Sequence, residues 1–177
     1  MINHRKENTM SYLYELEIQS FPNGEDCERY GIGIFRTEAE AEETAARYLR
    51  EVKGFRDYYC EYTIRKTELI GRDDLRFVHT WFGWNIDEDE NEIDLLSGLM
   101  YEEKSAALAA MEAAKAANSR QEWVLNRWQI GKCEWTEGFE REYPDGSIAP
   151  TLPELREELR KLIAPRTMCG IELEYSD

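Results

Sequence analysis

The chain is predicted to be an α+β protein. Two tandem β-β-α-β units form a mostly antiparallel sheet of about six strands with helices on one face, and a C-terminal helix and short strand follow. Three observations predict this. One order of segments (extended, acidic turn, short extended, Ala-rich helix, extended) runs from about Tyr12 to Leu69 and again from about Phe77 to Trp135. Gly33-Ile34-Phe35 and Gly98-Leu99-Met100 precede the two helices, and the stretches from Tyr62 and from Trp128 follow them. One such unit buries a single sheet face under one short helix, which is marginal, so the stable form joins two through their strand edges. A pseudo-twofold arrangement, like a homodimer fused into one chain, is expected. The 177 residues divide into a flexible tail (1–10), unit one (11–74), unit two (75–142) and a C-terminal helix and strand packed on both (143–177), forming one globular domain.

The elements follow in order. Tyr12 to Ile18 alternates and is rich in aromatic and β-branched residues, so it reads as a strand. Tyr14, Leu16 and Ile18 share one face, and Leu13, Glu15 and Glu17 share the other. Pro22-Asn23-Gly24 is a turn signal. Tyr30 to Phe35 returns, its glycines marking a bulge or a close backbone approach. Thr37 and Glu40 make a capping box. Ala41, Ala45, Tyr48, Leu49 and Val52 then form one helical face, and Gly54 ends the helix in a left-handed conformation. Tyr62 to Ile70 is the third strand.

Unit two opens with Phe77 to Ile86, turns through the acidic run from Asp87 to Glu92 and returns from Ile93 to Met100. Its helix, from about Glu102 to Ala117, carries a narrow stripe of Ala107, Leu108, Met111 and Ala114. Trp123 to Trp135 is its last strand. Beyond the units, Thr151 and Glu154 cap a helix with Leu152, Leu155, Leu159, Leu162 and Ile163 on one face. Pro165 stops it, and Met168 to Tyr175 reads as a short strand.

Composition narrows the function classes. The hydrophobic share is 42% and the aromatic share 12%, which suits a folded chain rather than a disordered one. No apolar run approaches the length of a membrane span, and the polar start lacks a signal-peptide core, so a cytoplasmic protein is expected. Cys27, Cys60, Cys133 and Cys169 are widely spaced and are read as free thiols. With 37 acidic against 22 basic residues the net charge is -15. Direct nucleic-acid binding and anionic membranes are therefore disfavoured, and a basic protein partner is favoured.

Gly33-Ile34-Phe35-Arg36-Thr37-Glu38-Ala39-Glu40-Ala41-Glu42, then Gly54-Phe55-Arg56-Asp57-Tyr58, then Trp135-Thr136-Glu137-Gly138-Phe139 resemble a small bacterial and phage domain family of unknown function. Unit one holds the Phe-Arg-Asp-Tyr segment and unit two the Trp-Thr-Glu-Gly-Phe ending, which fits a diverged duplication. The resemblance implies this organisation and a prokaryotic or phage source, and it brings no catalytic residues.

No catalytic set emerges. His79, in an aromatic strand, is read as structural, and no GxSxG, GxGxxG or phosphate-loop signature is present. In the acidic run, Asp87, Asp89 and Asn91 fit the first, third and fifth ligands of a calcium loop. The obligatory Gly is replaced by Glu92 and the bidentate Glu by Gly98, so no metal is expected there. Neither zinc spacing nor a cofactor signature appears. Trp81, Phe82, Trp84, Trp123, Trp128 and Trp135 concentrate in unit two.

The leading expectation is a non-enzymatic acidic protein-binding module, such as a phage inhibitor of host defence or a toxin-neutralising immunity protein. Its candidate contacts are Trp84, Asp87, Glu88, Asp89, Glu90 and Glu92. The alternatives are a small-molecule enzyme or ligand binder using carboxylates in the seam between the units, and a structural or oligomerising module for which a homodimer is allowed.

Overall fold

The computed structural model describes residues 11–21, 27–86, 92–118, 120 and 122–140, and the backbone of 171–174. The Pro22-Asn23-Gly24 turn, the acidic loop 87–91 and the helix expected over 151–163 lie outside the described residues. The fold is α+β, a curled and mostly antiparallel sheet with two helices. In order the elements are β1 (Ser11–Ser20), β2 (Glu28–Phe35), α1 (Glu38–Glu51), β3 (Cys60–Ile70), β4 (Phe77–Ile86) and β5 (Glu92–Ser97). Then come β6 (Leu99–Tyr101), α2 (Lys104–Ala117), β7 (Glu122–Gln129) and β8 (Ile171–Glu174). Among the described residues no helix is long and apolar enough to cross a membrane.

β1 lies between β2 and β3, antiparallel to both. Its register with β2 shifts between Leu16 and Glu17, opposite Gly31 and Gly33, so the glycines do mark a bulge. β4 is likewise flanked by β7 on one side and by β5 and β6 on the other, all antiparallel. The single strand expected over 93–100 is broken at Gly98, and its two pieces find different outer neighbours. β5 pairs β8, and β6 pairs β3 from Glu68↔Leu99 to Ile70↔Tyr101, both in parallel.

That β3–β6 ladder joins the two halves, and it differs from the pseudo-twofold expectation. A twofold axis pairs like strands, whereas here the third strand of one half meets the second of the other. The physical reason is insertion. β6 returns antiparallel to β4 and occupies the edge between β4 and β3, so it must run parallel to β3.

β7 also ends earlier than expected, at Gln129, and the chain turns through Ile130 and Gly131. The following residues then pair with β2. The Gly131 N–H donates to the Ile34 carbonyl and the Glu134 N–H to the Ile32 carbonyl, both at 2.8 Å. The β2 edge thereby meets the chain leaving β7, and the curled sheet wraps round as a barrel with an inside and an outside.

Both helices pack on the outside. Ala41, Ala45 and Tyr48 of α1 bury against Leu16, Ile18 and Ile32. Ala107, Met111 and Ala114 of α2 bury against Trp81 and Tyr101. The small residues of α2 allow close approach, and Leu108, expected in its buried stripe, is 41% exposed. One end of the interior is apolar, with Leu13, Ile34, Leu69, Leu75, Val78 and Met100 packed together. The other end is not.

Candidate functional site

At its polar end the barrel opens into a cavity of about 850 Å³ with a broad mouth to solvent. β1 contributes Glu15 and Glu17, β2 Arg29 and Gly31, and β3 Arg65. β4 adds Thr80 and Phe82, β5 Asp94 and Leu96, and β7 Asn126 and Trp128. Alternation puts them there. Glu15 and Glu17 point away from Leu16 and Ile18, which face α1, and in a closed sheet that direction is inward. A volume of this size lies within the range that holds drug-sized ligands.

The charges are arranged in pairs. Glu15 and Arg65 sit directly opposite each other on β1 and β3 and form an ion pair. Arg29 on β2 reaches across to Asp94 on β5, a second pair with side chains only 17% and 11% exposed. Glu17 has no such cation of its own. The Gln19 amide donates to its Oε1 at 3.0 Å and also approaches Thr63 Oγ1 at 3.4 Å. Burial pushes the Glu17 carboxyl above the ordinary glutamate range. The Gln19 hydrogen bond and the attraction of Arg29 and Arg65 oppose that, while Glu15 adds to it. Arg65 Nη1 and Asp94 Oδ1 are buried with no hydrogen-bond partner among the described residues. Unmet groups of this kind are costly, and both of these residues line the cavity.

Residues 134–138 form the rim. Trp135 holds a left-handed backbone at φ 57 and is 47% exposed. Its ring meets Tyr30 edge-on at 5.0 Å. Phe139 stacks on Tyr30 at 4.7 Å and meets Phe55 edge-on at 5.0 Å, and its N–H donates to the Lys53 carbonyl. Gly54, at φ +84, leaves room for the Phe139 ring, which a Cβ would approach to 2.6 Å. Asp57 accepts the Gly54 N–H at 3.0 Å. The Gly54–Tyr58 and Trp135–Phe139 motifs, far apart in sequence, are thus one interlocked structure beside the cavity. The Tyr48 hydroxyl, its pKa pushed up to about 12 chiefly by burial, stays protonated and donates to the Glu134 carbonyl at 2.6 Å.

Of the residues singled out from sequence, Trp84 is half-buried on β4, between Asp94 and Glu122 in register. Asp87, Glu88, Asp89 and Glu90 lie outside the described residues, and Glu92 is described by its backbone alone. Of that set, Trp84 alone has a described side chain. His79 Nδ1 lies 3.2 Å from the Glu102 carbonyl, a structural contact. Cys27, Cys60 and Cys133 form no disulfide among the described residues. Among the described residues no group of three His, Cys, Asp or Glu is placed to hold a metal ion. Sequence reasoning passed over Glu15, Glu17, Arg29, Arg65 and Asp94. The available signal was charge of opposite sign at inward positions of β1 and β3.

No protein-family model, no curated protein and no solved structure matches this chain.

Proposed function

We propose that this protein is a small-molecule-binding barrel whose ligand occupies the cavity between its two halves. The observation that carries the reading is the interior itself. Where a closed sheet would ordinarily hold apolar side chains, this one holds two ion pairs, a buried carboxyl and two unmet polar atoms around open space. Pre-formed walls and convergent polar groups are what a ligand site requires. The same reading makes the two β-β-α-β halves a diverged duplication with the site in their seam. In support, the first strand of each half is central to its own three-stranded group. The docked Gly54–Tyr58 and Trp135–Phe139 motifs support it as a device that fixes the rim.

Thermal-shift screening against a library of charged and polar metabolites tests the proposal. A ligand at a hundred times its Kd is expected to raise Tm by roughly 5–10 °C. Leu96→Trp, which fills the cavity, should abolish that shift. Hits that survive Leu96→Trp, or a complete absence of hits, would sink the reading. Capture of a basic protein, the second reading, is supported by the net charge of -15. It predicts instead a partner recovered at low salt whose binding is indifferent to Leu96→Trp.

A further inference from the structure

What the cavity takes is narrowed by its charges and walls, and this step rests on the reading of the cavity as a binding site. Arg65 is committed to Glu15 and Arg29 to Asp94. Glu17 is then a buried acid with no cation assigned to it. The charged groups that face it are Glu15 on its own strand, Arg29 on β2, Arg65 on β3 and, through Arg29, Asp94 on β5. β4 and β7 place only uncharged side chains on the lining, including Thr80, Phe82, Asn126 and Trp128. At the rim Glu137 adds a further carboxylate, while Glu134 is paired with Lys132. The lining therefore carries an excess of negative charge.

A second, independent observation points to what is missing. Asp94 is 8% exposed and lines the cavity, and its Oδ1 accepts no hydrogen bond among the described residues. A buried carboxylate oxygen calls for a donor. The adjoining wall is aromatic and held in place. The Trp128 indole N–H donates to Thr80 Oγ1 at 3.1 Å, and the ring lies so close to Gly31 that a Cβ there would meet it at 3.2 Å. An indole ring beside an unpaired buried carboxyl is an arrangement that stabilises a desolvated cation, and Gly31, against which the ring lies, is in register with Glu17.

We propose that the cavity binds an organic ammonium ion, a protonated amine on an apolar or aromatic body. Glu17 supplies the counter-charge, Asp94 Oδ1 accepts an N–H, and Trp128 is the wall on which the ligand lies. An anion could meet the Arg65 Nη1 donor but would face the carboxylate excess, and a body without a donor would leave Asp94 Oδ1 unmet.

Three probes of one shape test the assignment on the full chain: 2-phenylethylammonium, neutral propylbenzene and anionic 3-phenylpropanoate. The Trp128 indole N–H resonance, identified by Trp128→Phe, reports occupancy. The ammonium should bind at least about tenfold tighter than the neutral probe, and the anion weakest. Glu17→Gln should reduce ammonium affinity about tenfold and leave propylbenzene unchanged. Asp94→Asn serves as the second variant if Glu17→Gln loses its native circular dichroism. If the neutral or anionic probe moves Trp128 at equal or lower concentration, or if neither variant alters the ranking, the charge assignment is overturned while the cavity reading stands. If none of the three moves Trp128 at its solubility limit, the assignment is also overturned, and the Leu96→Trp screen decides the cavity separately.

Discussion

Gly131 and Gly138 share a left-handed backbone, at φ +78 and +76, and differ in what surrounds them. A Cβ on Gly131 would meet nothing within 4 Å, whereas on Gly138 it would fall 2.1 Å from the Lys53 carbonyl oxygen. Gly131→Ala should therefore cost only the left-handed penalty, about 1 kcal/mol, and Gly138→Ala at least about 3 kcal/mol. Urea unfolding of the two variants measures the difference, and equal losses would show that the rim does not dock on Lys53. Glu17 gives the residue-scale pH dependence. Burial raises its carboxyl above the ordinary 4.5, so the folded state holds the proton more tightly than the unfolded state. The stability this contributes is complete below pH 4.5 and is lost as pH rises through the raised value. Glu17→Gln, neutral throughout, should accordingly melt higher than the parent at neutral pH, with the advantage vanishing in acid. A parent that melts higher at neutral pH would place Glu17 in a compensated ion pair instead.

The two helices begin differently, and the sequence announces the start of α1 more sharply than that of α2. Thr37 Oγ1 accepts the Glu40 N–H at 3.2 Å, and the Glu40 carboxylate accepts the Thr37 N–H at 3.1 Å, the reciprocal cap that the spacing of the two residues announces. At α2 the capping position is Glu103, which makes no side-chain cap, and the start expected at Glu102 falls instead at Lys104. Thr37→Ala should destabilise by about 1 kcal/mol, while Glu103→Ser should stabilise by roughly 0.5–1 kcal/mol. Calorimetry on both variants checks the contrast, and a loss at Glu103 would mean its carboxylate has a role that a cap cannot replace. The strands show the same dependence on local chemistry. Gly31 and Gly33 are legible as a bulge or a close backbone approach, and both occur: the register shifts there, and a Cβ on Gly33 would fall 2.7 Å from the Lys132 carbonyl oxygen. The break at Gly98 is not legible, because it depends on β5 and β6 having different outer neighbours, β8 and β3, which no local pattern encodes.

At the scale of the molecule the period of β1 was legible and its sidedness was not. Leu13, Glu15 and Glu17 share a face, as strand alternation predicts, but a polar face suggests solvent, and here it lines the barrel. Whether that face is wet or enclosed is decided by residues 131–134 pairing with β2, a contact between distant parts of the chain. The candidate site was hidden for the same reason, since the Arg29–Asp94 pair exists only once the sheet has curled. That pair supplies a test of closure. Removing one member of a buried pair leaves an uncompensated charge and typically costs about 3–5 kcal/mol. Arg29→Met strands the Asp94 carboxylate, and Asp94→Leu strands the Arg29 guanidinium. The double replacement strands neither, so it should be less destabilised than the sum of the single variants by at least about 2 kcal/mol. Hydrogen exchange then locates the effect. In Arg29→Met the Gly131 and Glu134 amides, which donate to β2, should exchange faster, while the β1–β3 ladder keeps its protection. If the β1–β3 amides loosen to the same degree, the pair stabilises the sheet as a whole. If only Gly131 and Glu134 respond, Arg29 and Asp94 are the latch that holds the barrel closed around its cavity.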